Sequence, residues 1–179
     1  MSFQTDLSDS NCAFEQIVYP AIHKHIGGGR IISVECILDS NLAMLLDRCA
    51  GIDYLQITAD GYIRGLSSRI QFGRDYRTFT IRAKRSTARR TEYEKMQHVS
   101  AHRGRGYMFS GLTIQSYVSS RYNGHLLSSA IAYTEDVYRF IETHELTVKQ
   151  APDGNEFYCL PWSTLEQEGV QIRIIRPVP

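Results

Sequence analysis

The sequence predicts an α+β (mixed α/β) fold in which a central mixed β-sheet is flanked by helices. Three observations point there. Hydrophobic spacing runs helix, strands, helix, strands, helix along the chain, the order of a sheet with helices packed against it. Asp60-Gly61 and Asn123-Gly124 each separate two strand-like runs, and both dipeptides tolerate the positive φ that a tight hairpin requires. The 179 residues have ordinary globular composition and are enough to bury one sizeable core.

Residues 1–11 read as a loosely docked lead. From Ala13 to His25, Phe14, Ile17, Val18, Ala21 and Ile22 fall at helical spacing, with Pro20 positioned to kink or split the helix and Gly27-Gly28-Gly29 to end it. Ile31 to Leu38 reads as a strand. Asp39-Ser40-Asn41 offers caps for a helix over Leu42 to Cys49. The hairpin through Asp60-Gly61 follows, with Asp53 near the start of its first strand. Ser67, Arg69 and Gln71 share one face of the second.

Arg77 to Arg82 alternates as a third strand, with Phe79 and Ile81 opposite the Arg and Thr side chains. Thr91 to Val99 reads as a short helix in which Thr91 and Glu94 have capping-box spacing. His102 to Tyr107 reads as a Gly- and Arg-rich loop. Leu112 to Ser119 and Leu126 to Tyr133 form the second hairpin, and Thr134 caps a helix through His144. Asn155 to Leu160 is a short strand, Ser163 and Glu166 form another capping box, and Val170 to Ile175 is the last strand. No repeat or linker interrupts the chain, so 1–179 reads as one domain, with residues 101–179 completing a core laid down by 13–100.

Several classes drop out. No apolar run approaches the ~20 residues of a membrane helix, and no secretory signal stands at the N-terminus; a cytoplasmic location is expected. Cys12, Cys36, Cys49 and Cys159 form no CxxC pair, so free thiols are expected. The six histidines make no ligand pattern. Gly27-Gly28-Gly29 follows a helix instead of preceding one, so it is no phosphate loop.

The charge is informative because it is lopsided. Between Arg64 and Arg105 lie twelve Lys and Arg residues opposed only by Asp75, Glu92 and Glu94. Arg dominates, and its planar fork suits phosphate. Arg77, Arg82, Lys84, Arg85, Arg89 and Arg90 are the candidate nucleic-acid contacts, tracking the backbone without regard to base sequence. The same run is also readable as a solvated face, or as the partner of the acidic segments Glu135 to Glu145 and Glu156 to Glu168.

Glu15 on the first helix, Asp53 on the first hairpin strand, and Ser67-Ser68-Arg69 about a dozen residues later resemble the core of the PD-(D/E)XK nuclease superfamily. That resemblance covers residues 15–81, about a third of the chain. It implies a restriction-endonuclease-like core, Mg²⁺ held by Asp53 and Glu15, a catalytic set of Asp53, Glu15, Arg69 and Gln71, nucleic acid (DNA first) as the partner, and homodimers. The departures are chemical. Ser67 stands where the family has an acid, and a hydroxyl is a poor ligand for a hard cation. Arg69 stands where the family has Lys; it can neutralise phosphate charge but cannot deprotonate water. The sequence therefore leaves two functions open: a divalent-metal-dependent phosphodiesterase, or an inactive nuclease-like module, such as a phage or mobile-element inhibitor that docks on a host defence protein.

Overall fold

The computed structural model describes residues 9–87, 90–91, 93–95, 97 and 109–177. The expectations for 1–8, for Arg89 and for the loop from His102 to Tyr107 lie outside them. Two sheets organise the chain. Strands β1 (Arg30–Ser33), β2 (Tyr54–Ile57), β3 (Ile63–Phe72), β5 (Ser110–Val118), β6 (Leu126–Tyr133) and β9 (Ile172–Ile175) form a six-stranded sheet in the order β1-β2-β3-β5-β6-β9. All neighbours are antiparallel except β3 and β5. Strands β4 (Thr78–Lys84), β8 (Glu156–Pro161) and β7 (Val148–Gln150) form a separate antiparallel sheet.

Helix α1 spans residues 9–26. Phe14, Val18, Ile22 and Ile26 recur every fourth residue and are all buried, which is the stripe that docks it on the main sheet. Pro20 does not split the helix. A π-helical turn over Phe14–Val18 precedes it, closed by the Tyr19 N–H on the Phe14 carbonyl five residues back. That wider turn carries the helix past a residue that has no N–H and whose ring would crowd a regular turn. Gly27 then ends the helix in the left-handed region at φ 80°. Asn11 is not part of a loose lead: its side chain accepts from the Tyr54 hydroxyl and donates to Glu35.

The strand expected over Ile31 to Leu38 stops at Ser33. Val34 turns inward in a 3₁₀ turn, gives its N–H to the Asp53 carbonyl, and packs with Leu46 and Ile52. Helix α2 (Ser40–Ala50) begins where Asp39 accepts the N–H groups of Asn41 and Leu42. Thr91 and Glu94 bond each other's N–H groups reciprocally, as their spacing predicts. The other two caps differ from expectation. Helix α3 (Thr134–Thr143) starts one residue early, and the Thr134 hydroxyl is spent on Thr113 of β5. Helix α4 (Trp162–Gln167) starts directly after Pro161, so Ser163 lies inside it.

Alternation sorts the core. On one face of the main sheet Tyr54, Leu66, Ile114, Val118 and Ile131 meet α1. On the other, Tyr117, Ala130 and Ala132 meet α3, α4 and the inner face of the small sheet, with Trp162 1% exposed at the centre beside Phe79 and Leu160. No helix among the described residues is long and apolar enough to cross a membrane.

Candidate functional site

Period two sends Leu66, Ile70 and Phe72 of β3 toward α1, and therefore Ser67, Arg69 and Gln71 to the opposite side. There they face the outer side of the small sheet. Register places Phe157 of β8 across from Arg82 of β4, and Cys159 across from Thr80. The Arg69 guanidinium lies 5.6 Å from the centre of the Phe157 ring and that of Arg82 lies 5.5 Å from it. Two cations from different sheets thus meet on one aromatic ring.

Gln115 forms the back of this cleft. It pairs with Arg69 in the parallel register of β3 and β5 and is 1% exposed. Its Oε1 accepts the Thr80 N–H at 3.2 Å, which ties the two sheets together. Its Nε2 is a buried donor with no acceptor among the described residues, and the Gln71 Oε1 is likewise unmatched. Arg69 meets no carboxylate among the described residues. A half-buried cation and an unspent amide donor thus stand side by side.

The basic residues singled out from the sequence do not all gather here. Arg82, Lys84 and Arg85 follow one another at the end of β4, and the Arg85 Nε donates to the Arg90 carbonyl at 3.1 Å, which holds Arg90 beside it. Lys84 has Glu156 as its cross-strand neighbour. The Asp153 carboxyl is held below its usual range by the Asn155 backbone N–H, then by the Asn155 side chain, with Arg82 a minor contributor. Arg77 sits before the other end of β4, roughly 17 Å from Arg82 at strand rise. Its Nε is 3.4 Å from the Asp75 carboxylate and its φ is 52°. On the acidic helix α3, Glu135 and Asp136 pair with Arg139 of the same helix.

The acids are placed differently. Asp53 lies just before β2, and its Oδ2 accepts the Ser68 N–H at 2.7 Å, holding the carboxylate against the β3 backbone between Ser67 and Arg69. Glu15 rides on the π-helical turn of α1, exposed. The fields of Glu15, Asp53 and Glu35 converge on the buried Tyr54 phenol, and with burial as the largest cause they push its pKa far up. Burial also raises the Glu35 carboxyl, with Asn11 opposing and Asp47 adding to the shift.

Among the described residues, no three His, Cys, Asp or Glu side chains come together as metal ligands. One Asp53 oxygen is committed to a backbone N–H, Ser67 supplies only a hydroxyl, and the next side chain on that face is a guanidinium. Mg²⁺ takes oxygen ligands and favours carboxylates, so Asp53 and Glu15 are the residues that would have to hold it.

No protein-family model, curated protein or solved structure matches the chain. Sequence reading singled out Arg69, Gln71 and Arg82 but passed over Gln115 and Phe157. Gln115 reads as an ordinary position in an alternating strand. Phe157 reaches the two arginines only because β8 returns from far along the chain to pair with β4.

Proposed function

We propose that the protein binds nucleic acid, DNA first among the candidates, through the cleft between β3 and the small sheet. The observation that supports this best is the meeting of Arg69 and Arg82 over Phe157, backed by the unspent Nε2 donor of Gln115. A phosphate entering the cleft gains charge-assisted hydrogen bonds from the guanidinium groups. Lys84, Arg85 and Arg90 extend the positive track along the end of β4, so the backbone of a strand can follow it. The contacts are to phosphate and independent of base sequence. The PD-(D/E)XK-like arrangement of a Glu-bearing helix against an Asp-bearing hairpin in a mixed sheet is consistent with such a partner. No catalytic step is assigned to it, because Ser67 and Arg69 stand where the resembled family has an acid and a lysine.

The test is fluorescence anisotropy on labelled single- and double-stranded DNA and RNA, with Mg²⁺ and with EDTA, on wild type, Arg69→Gln and Asp53→Ala. Binding that falls with salt, is indifferent to EDTA and is weakened in Arg69→Gln is the expected result. Absence of binding to every probe overturns the proposal. Mg²⁺-dependent cutting that disappears in Asp53→Ala would restore the nuclease reading.

A further inference from the structure

At the opposite end of the β2–β3 hairpin from Asp53 lies an open groove of about 1070 Å³. That is at the upper end of the ~300–1,000 Å³ typical of small-molecule sites. Its floor is apolar, made by Leu112, Ile131 and Ala132, each at most 6% exposed. Tyr62 and Tyr133 line it and are 72% and 55% exposed, so two aromatic rings stand in water beside an apolar floor. Arg64 and Arg173 bring positive charge to it, and the carboxylates of Asp60 and Glu166 also line it.

Arg64 is the decisive residue. Its Nε donates to the Gln56 Oε1 at 2.8 Å and its Nη2 donates to the Ile26 carbonyl. Both partners are neutral, and a guanidinium has five N–H donors. Burial lowers its pKa, and the nearby Tyr133 phenol and Asp60 oppose that shift. Asp60 is itself engaged by the Thr58 hydroxyl. Arg173 lines the same groove, and its Nη1 donates to the His25 carbonyl at 3.3 Å. Both arginines thus cap the last carbonyls of α1, which holds them in place, and each keeps further donors beyond those bonds.

We propose that this groove binds a mononucleotide, with the phosphate on Arg64 and Arg173 and the base on the apolar floor beside Tyr62 and Tyr133. An anion at Arg64 meets a half-buried guanidinium already held in place by the Gln56 side chain and the Ile26 carbonyl. The apolar floor and the two rings favour a flat aromatic body over a free inorganic ion. This site is independent of the Arg69 cleft and does not rest on the nucleic-acid reading.

The experiment is calorimetric titration of the full chain with adenosine 5′-monophosphate, adenosine and inorganic phosphate. The variants are Arg173→Gln, Tyr62→Ala and Arg69→Gln. The proposal expects the monophosphate to bind at least tenfold tighter than adenosine or phosphate. It expects Arg173→Gln and Tyr62→Ala each to weaken it about tenfold and Arg69→Gln to leave it unchanged. Because Tyr62 is exposed, its loss tests the site even if Arg173→Gln loosens the end of α1. No binding of the monophosphate, phosphate binding as tightly as the monophosphate, or a loss confined to Arg69→Gln overturns the proposal.

Discussion

Replacing Arg69 by Gln separates a phosphate-binding cleft from a structural stack of side chains. Two contributions are lost together. The cation–π contact with Phe157, at 5.6 Å, is worth about 0.5–1 kcal/mol at a part-exposed site, so the fold survives the change. The contact with a nucleic-acid phosphate is charge-assisted and worth about 1.5–3 kcal/mol, which is roughly a ten- to hundredfold loss of affinity. The salt dependence is the sharper readout. With Arg69, Arg82, Lys84 and Arg85 engaged, log K should fall with log[salt] at a slope of about −3, and the variant should lose about 0.7–0.9 of that slope. Anisotropy titrations at four salt concentrations measure it, and urea unfolding of the same samples shows whether stability is kept. An unchanged slope with unchanged affinity would refute the reasoning. So would an affinity loss accompanied by a collapse in the urea midpoint, which would make Arg69 a packing residue.

Gln56 is fully buried and joins Ile26 O, Gly28 O and Arg64 Nε. Gln56→Leu should cost about 3 kcal/mol, a fall of roughly 1.5 M in the urea midpoint. At Gly65 an added Cβ would lie 2.6 Å from the Ile52 Cγ1, in a side chain that has no exposed surface, so Gly65→Ala should destabilise by about 1–3 kcal/mol in the same assay. Glu35 has a raised carboxyl pKa in the folded state, so the folded state binds its proton more tightly and this group's contribution to stability is lost as pH rises through that pKa. Glu35→Gln, which keeps an acceptor for Asn11, should therefore raise the urea midpoint at pH 7 relative to wild type, with the gain vanishing below pH ~4. An ultraviolet titration should show the Tyr54 phenol ionising well above the ordinary phenol range, and Tyr54→Phe should remove that late phase.

Local signals in the sequence translated well where one short segment decides the outcome. The Asp60-Gly61 turn, the Asp39 cap, the Thr91–Glu94 box and the shared face of Ser67, Arg69 and Gln71 all depend on near neighbours, whereas β5 and β6 are joined through a longer loop in which Asn123, not Gly124, takes the positive φ. Pro20 misleads because a π-helical turn is set by how α1 packs on the sheet, and nothing in the residues around Pro20 announces it. Ser163 and Thr134 carry capping chemistry, but β8 and β6 run directly into their helices, so the caps fall at Pro161 and Tyr133, two residues and one residue earlier. The division into two sheets was not legible, since it depends on β4 pairing with β8, nearly eighty residues away. For the same reason Arg69 was visible as a candidate while Phe157 was not. The basic run likewise reads as one stripe, yet Arg77 stands apart with Asp75, because strand length separates it from Arg82.

The one parallel pair in the main sheet also governs how the molecule assembles. The β2–β3 and β5–β6 hairpins can each form from nearby residues, on the microsecond scale of isolated hairpins. Joining β3 to β5 requires Leu66 to find Leu112, with β4 and the whole segment after it held out as a loop. The small sheet then needs residues from two distant parts of the chain, since Phe79 pairs with Leu160. Closing such loops costs entropy before any contact repays it, so these steps come late and set the folding rate. Arg69 and Phe157 meet only when both are done. A chain that stalls with its hairpins made therefore has no cleft, and a binding assay on freshly refolded protein reports completion of the slowest step.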